Sequence, residues 1–120
     1  MKQSILNFLI AAVMFSFIQL AIAEDNSKKT TEPIKIGSIL ILSGEGSSWG
    51  VASKNGIEMA IENINENGGI DGRKVVAVHQ DDQGDPKKAI SAFRYLVDAK
   101  GINIIIGTNW SVTGLPLIDL

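Results

Sequence analysis

The chain has 120 residues, 45% hydrophobic and 20% charged, an ordinary composition for a globular protein. Its 11 basic and 13 acidic residues give a formal charge of -2 without any basic block or basic-aromatic interleaving, so nucleic-acid binding has no support. The lack of cysteine excludes a disulfide framework, a thiolate metal site, a thiol nucleophile and a lipid-modified cysteine.

Residues 1–23 follow the pattern of a secretory signal peptide. Lys2 supplies the positive start and Phe8 to Phe17 the apolar stretch. Ala21-Ile22-Ala23 has the small-x-small form that signal peptidase reads, so cleavage is expected after Ala23. An uncleaved anchor is the alternative, since Ile5 to Ala23 is nearly long enough to span a bilayer. Asn7, Ser16 and Gln19 favour removal. Residues 24–33 are polar and read as a flexible lead-in.

Ile34 to Leu42 begins alternating and becomes continuously apolar, as a strand buried on both faces does. Ser43 to Gly50 is a glycine-rich loop that holds Trp49. Ile57, Ala60, Ile61 and Ile64 then recur at helical spacing, and Asn67-Gly68-Gly69 ends that helix. Asp71-Gly72 makes a tight turn before a second buried strand, Val75 to Val78. Asp85-Pro86 starts a helix: aspartate caps free N–H groups, and proline loses no hydrogen bond at the first position. Ala89, Ile90, Phe93, Leu96 and Val97 form its buried face, Lys87, Lys88 and Arg94 point to solvent, and Gly101 ends it. Ile102 to Ile106 is a third buried strand, and a third helix begins near Ser111. Leu115 to Leu120 continues an apolar helical pattern without a terminator, so the chain reads as the front part of a longer protein. The order β-α-β-α-β-α predicts a parallel sheet with helices on both faces, joined by right-handed crossovers.

The glycine loop has the spacing G-x-G-x-x-x-G, not the dinucleotide fingerprint. Asp81 and Asp82 lie far beyond the ~20-residue offset of a ribose contact. No Gly-Lys-Ser/Thr follows, which removes a P-loop. The run Asp81-Asp82-Gln83-Gly84-Asp85 departs from a calcium loop, because Gln83 takes a ligand position and the glycine comes early. A helix cap at Asp85 and a turn shaped by Asp81 and Asp82 explain the run better. His79, the single histidine, lacks a second histidine or cysteine and reads as packing. No G-x-S-x-G elbow occurs. No catalytic residue, metal or cofactor is expected.

Trp49 and Trp110 each lie just past the carboxyl end of a predicted strand, the edge where open α/β sheets bind ligands. Tryptophan is mostly used where its large area is covered. The stretch Gly107 to Gly114 is the sharper signal. A helix N-terminus attracts a carboxylate through free N–H groups and partial positive charge. Ser111 and Thr113 add hydroxyls there, with Asn109 and Trp110 beside them. A plain N-cap is the alternative role for Ser111. The expected ligand-binding set is Trp49, Asn109, Trp110, Ser111 and Thr113.

From Ile34 onward the sequence resembles the N-terminal lobe of the periplasmic branched-chain amino acid (leucine/isoleucine/valine) binding proteins of ABC transporters, which are type I periplasmic binding proteins. The resemblance is carried by Ile34-Lys35-Ile36-Gly37, Ser43-Gly44…Trp49-Gly50, and Ala60-Ile61-Glu62-Asn63-Ile64-Asn65. Gly68-Gly69-Ile70-Asp71-Gly72-Arg73-Lys74 and Asp81-Asp82-Gln83-Gly84-Asp85-Pro86 follow in order. It implies a two-lobed α/β protein, here incomplete and without its second lobe, that closes on a small ligand and presents it to an inner-membrane permease. It implies that Ser111 bonds an amino-acid carboxylate and that Trp49 packs on the ligand side chain. Trp110 replaces a smaller residue of the family pattern, which favours a narrower pocket or a flat ligand such as an amide. The implied function is extracytoplasmic solute binding for uptake of a branched-chain amino acid or related amide, in the periplasm and without enzymatic activity. The alternative is a ligand-sensing domain of a receptor or regulator on the same fold.

Overall fold

The computed structural model describes residues 31–120. The expected signal peptide and most of the lead-in lie outside the described residues. Among the described residues no helix is long and apolar enough to cross a membrane.

Three strands form one parallel sheet: β1, Ile34–Leu40; β2, Val75–Asp81; and β3, Ile105–Gly107. Their order is β2-β1-β3, with Ile34 opposite Val75 and Gly37 opposite Ile105. Helix α1, Ser47–Glu66, joins β1 to β2. Helix α2, Pro86–Arg94, runs into a π-helical turn, Tyr95–Ala99, and leads to β3. A single turn, α3, Ser111–Gly114, and a 3-10 turn, Leu115–Leu117, follow. The first crossover moves away from β1 on one side and the second returns across it. Right-handed connections therefore put α1 and α2 on opposite faces. The expected three-layer α/β arrangement is present.

Alternation along β1 divides its side chains between the helices. Gly37 and Ile39 face α2. A Cβ at Gly37 would lie 2.8 Å from Leu96 Cδ1. Ile39 packs with Ala89, Ala92, Leu96 and Ile102 in the buried core. Ile34, Ile36 and Ser38 face α1. Helix α2 starts as expected: the Asp85 carboxylate accepts from the N–H groups of Lys87 and Lys88 at 2.8 and 3.0 Å. Lys87, Lys88 and Arg94 are exposed. Gly101 closes the segment at φ 64°, its N–H bonded to Val97 O at 3.0 Å.

Strand β2 runs on past the expected Val78 to Asp81, because its ladder follows β1 as far as Leu40. Three further limits differ from the sequence expectation, each with a physical cause. The ladder of β1 stops at Leu40, not Leu42, because the N–H groups of Ile41 and Leu42 go to the Asn109 and Asp81 side chains. Helix α1 begins at Ser47, so Trp49 and Gly50 stand in its first turn instead of a loop. Only glycine fits at 50, where a Cβ would sit 1.8 Å from the Ile41 carbonyl oxygen. The third strand covers Ile105–Gly107 instead of Ile102–Ile106. Ile102 is buried, but its N–H bonds Leu96 O at 2.9 Å and takes no part in the ladder.

Burial on the α1 side also falls short. Ile61 is buried, Ile57 and Ile64 are half-buried, and Ala60 is exposed. Ile104 and Ile106 are 54% and 43% exposed, although both belong to the run expected to be fully covered. Helix α1 lies over β1 and β2, and no described helix covers β3 on that face.

Candidate functional site

The loops after all three strands meet at the carboxyl edge of the sheet, and side chains join them. Asn109 accepts from Ile41 N at 3.1 Å and donates to Ser53 Oγ at 3.0 Å, linking the third loop to β1 and α1. Asp81 accepts from Leu42 N at 2.8 Å, from Ser43 Oγ at 2.5 Å and from Gln83 N at 2.9 Å, linking the first loop to the second. Burial pushes the Asp81 carboxyl up, but the Ser43 hydroxyl and the N–H groups of Leu42, Gln83 and Ser43 outweigh it and hold the group below the ordinary carboxylate range. Asp82 is fully buried and shapes the turn by accepting from Gly84 N at 2.9 Å. Its second oxygen has no partner.

Trp110 sits at the centre of this edge. A Cβ at Gly46 would lie 2.9 Å from its ring, and one at Gly84 would lie 2.8 Å away. The indole therefore rests in a cradle made by the glycines of the first and second loops. Its backbone is held as firmly. The Trp110 carbonyl accepts from Thr108 Oγ1 at 2.7 Å, from Thr113 Oγ1 at 2.9 Å, and from the N–H groups of Thr113 and Gly114. Trp49 meets Trp110 edge to face, with centroids 6.2 Å apart and planes at 77°. Trp49 is 62% exposed and Trp110 is half-buried. The two tryptophans thus form one aromatic ledge, fixed beneath and open above.

The remaining expected residues divide. Ser111 is exposed beside the ledge, and its hydroxyl has no partner among the described residues. It is not the N-cap: that place belongs to Trp110, in extended conformation and without a side-chain cap. Thr113 is fully buried and gives its hydroxyl to the Trp110 carbonyl, so it points into the fold and not toward the ledge. Asn109 has both ends of its amide engaged in joining loops. The expected helix N-terminus is one α turn long, so any anion there would meet local N–H groups more than a long helix dipole. Gly46, Gly84 and Asp81 organise this edge, and sequence reading missed them as parts of a site. Their only signal was glycine and aspartate placed just after strands.

His79 also exceeds its expected packing role. It bonds Ser38 Oγ through Nδ1 and Glu58 Oε1 through Nε2, each at 2.6 Å. That connectivity resembles a serine hydrolase relay, but Ser38 is 1% exposed inside β1, where no substrate can reach it. The chain Ser38–His79–Glu58 is a strut between sheet and α1. Among the described residues no group of three or more His, Asp or Glu side chains could hold a metal ion. The edge offers aromatic surface, a free hydroxyl and helix-start N–H groups, which suit holding a small molecule with a carboxylate or amide.

Comparison with known proteins gives the same direction. A Leu/Ile/Val-binding protein of Rhizobium johnstonii is 39% identical over 87 residues, which is 72% of this chain and 23% of that protein. A leucine-specific-binding protein of Salmonella typhimurium is 33% identical over 120 residues, all of this chain and 30% of that protein. The chain thus spans less than a third of these relatives. A branched-chain amino acid transporter substrate-binding protein from Streptococcus pneumoniae, solved with isoleucine, superposes with TM-score 0.70 at 29% identity, covering 72% of this chain and 25% of that one. A type 1 periplasmic binding protein from Bordetella pertussis superposes with TM-score 0.68 at 36% identity, covering 72% and 24%. A model of the periplasmic binding protein family matches residues 33–120, essentially the whole folded unit from β1 onward, and the chain belongs to that family.

Proposed function

We propose that this chain forms one wall of the ligand cleft of a periplasmic solute-binding protein that delivers branched-chain amino acids, or related small amino acids and amides, to an ABC permease. It acts by binding and closure, without catalysis. The observation that carries this reading is the Trp49–Trp110 ledge beside the exposed Ser111, whose hydroxyl has no partner among the described residues. Ser111 donates to the ligand carboxylate, and Trp49, the more exposed ring, covers the side chain. Trp110 backs Trp49, while Asn109 and Thr113 hold the loop that presents Ser111. A second α/β lobe supplies the opposite wall. Residues 1–23 act as a leader removed after Ala23, residues 24–33 as a polar lead-in, and residues 34–120 as the N-terminal part of the binding domain. The relatives' names support the amino-acid class.

The test is a chimaera in which residues 33–120 replace the matching segment of a Leu/Ile/Val-binding relative. Calorimetric titration with isoleucine, leucine, valine and simple amides should show saturable binding of at least one. A folded chimaera that binds none of them would overturn the assignment.

A further inference from the structure

The edge of the sheet opposite the aromatic ledge, where the strands enter, holds a pocket of about 520 Å³. Its cations come from three separate stretches: Lys35 from β1, Arg73 from the turn before β2, and Lys100 from the approach to β3. Glu32 is the one acidic side chain that lines it. Two positive charges therefore stand in excess there, in a chain whose formal charge is -2. We infer that this pocket binds the phosphate group of a small organic phosphate monoester.

Geometry, charge and size select that ligand. Arg73 Nε donates to the Glu32 carbonyl at 2.8 Å, which orients the guanidinium and leaves its terminal nitrogens as a fork. Such a fork matches two oxygens of one phosphate. Lys100 Nζ lies over the Tyr95 ring, 5.2 Å from its centroid, so its ammonium is placed before any ligand arrives. The side chains of Lys35 and Asn103 have no partner among the described residues and add further donors. The excess of two positive charges suits a monoester, which carries about -1.5 to -2 near neutral pH. A carboxylate or a phosphate diester brings a single negative charge and leaves part of the excess unmet. The volume falls within the range of small-molecule sites, where a bare inorganic anion would leave most of the space to water. Pro33, Ile34 and Ile104 supply apolar surface for the organic group that the phosphate carries. Because the cations are far apart in sequence, no basic block announces the site. The pocket shares no residue with the tryptophan ledge, so the inference stands apart from the proposed cleft.

The test titrates the full 120-residue chain with phenyl phosphate by calorimetry. Saturable binding is expected, with a dissociation constant of about 1 mM or lower, and it should weaken as sodium chloride is raised. Glycerophosphoglycerol, the singly charged headgroup of an anionic lipid, should bind about fivefold more weakly or worse. Arg73→Gln and Lys100→Gln should each weaken phenyl phosphate by about fivefold or more. Lys87→Gln, an exposed cation on α2 outside the pocket, should leave the affinity unchanged. Circular dichroism of each variant reports the fold. Arg73 also holds the Glu32 carbonyl, so Lys100→Gln decides the matter if Arg73→Gln alters the spectrum. Absence of saturable binding, or binding indifferent to Lys100→Gln, would overturn the inference. So would equal affinity for the diester, which would remove the charge match, or equal weakening by Lys87→Gln, which would mean unspecific attraction.

Discussion

Both faces of the sheet carry apolar isoleucines, but they are finished differently. On the α2 face, Ile39, Ala89, Leu96 and Ile102 are 0 to 1% exposed. On the α1 face, Ile104 and Ile106 stay open and a groove runs beside the helix. Topology separates them. The crossover from β2 to β3 carries α2 over the centre of the sheet, while α1 leaves on the β2 side and cannot reach β3. An apolar run thus announces what a strand is able to bury, and neighbouring helices decide what it does bury.

The sharpest way to break this comparison is to truncate one residue on each face. Leu96→Ala should destabilise by about 2–5 kcal/mol, the loss for a buried leucine. Ile106→Ala should lose less than ~1 kcal/mol, because much of the side chain already meets water. Urea midpoints at constant slope measure both. Equal losses would mean that the α1 face is as tightly packed as the α2 face.

A smaller effect is expected at the carboxyl edge. Gly84→Ala forces a side chain into a backbone at φ 71° and into the Trp110 ring. It should cost ~1–3 kcal/mol and shift the tryptophan near-ultraviolet circular dichroism. An unchanged tryptophan signal would show that the glycine cradle does not hold the ring.

Acid should produce a gentler, graded loss. N–H donors from Lys88 and Lys87 lower the Asp85 carboxyl, and Asp81 is also held low despite its burial. The unfolded chain therefore binds these protons at higher pH than the folded chain does, and stability rises with pH in that window. The contribution is complete above the unfolded value of about 3.9 and is lost as pH falls through the lower folded values. Asp81→Asn should flatten the decline. An identical pH profile for the variant would remove Asp81 from this role.

Much of this was legible in the sequence because it rests on local chemistry. β-branched runs marked β1 and β2, Asp85-Pro86 marked the start of α2, and the order of elements fixed the layers. Helix α1 lacks a side-chain cap, so nothing in its sequence distinguished a loop at Ser47 from a first turn. The approach of Ile102 to β3 is extended and apolar like a strand, and only partners distant in sequence show that it lies outside the ladder. Both tryptophans were placed on the right edge from strand ends alone. Their contact, and the cradle of Gly46 and Gly84 beneath Trp110, depend on two crossovers that bring distant loops together. For the same reason Thr113 looked available, although its hydroxyl is turned inward to Trp110.

Ser111 is the residue whose proposed role is least entangled with stability, because it is exposed and its hydroxyl has no partner among the described residues. The most direct measurement is therefore the isoleucine affinity of the chimaera with and without Ser111→Ala, taken with the unfolding midpoint of each. Binding should weaken about tenfold, as expected for one lost hydrogen bond to a charged group, with the midpoint unchanged. Unchanged affinity would contradict the assignment of Ser111 to the ligand carboxylate and leave the aromatic ledge without its polar anchor.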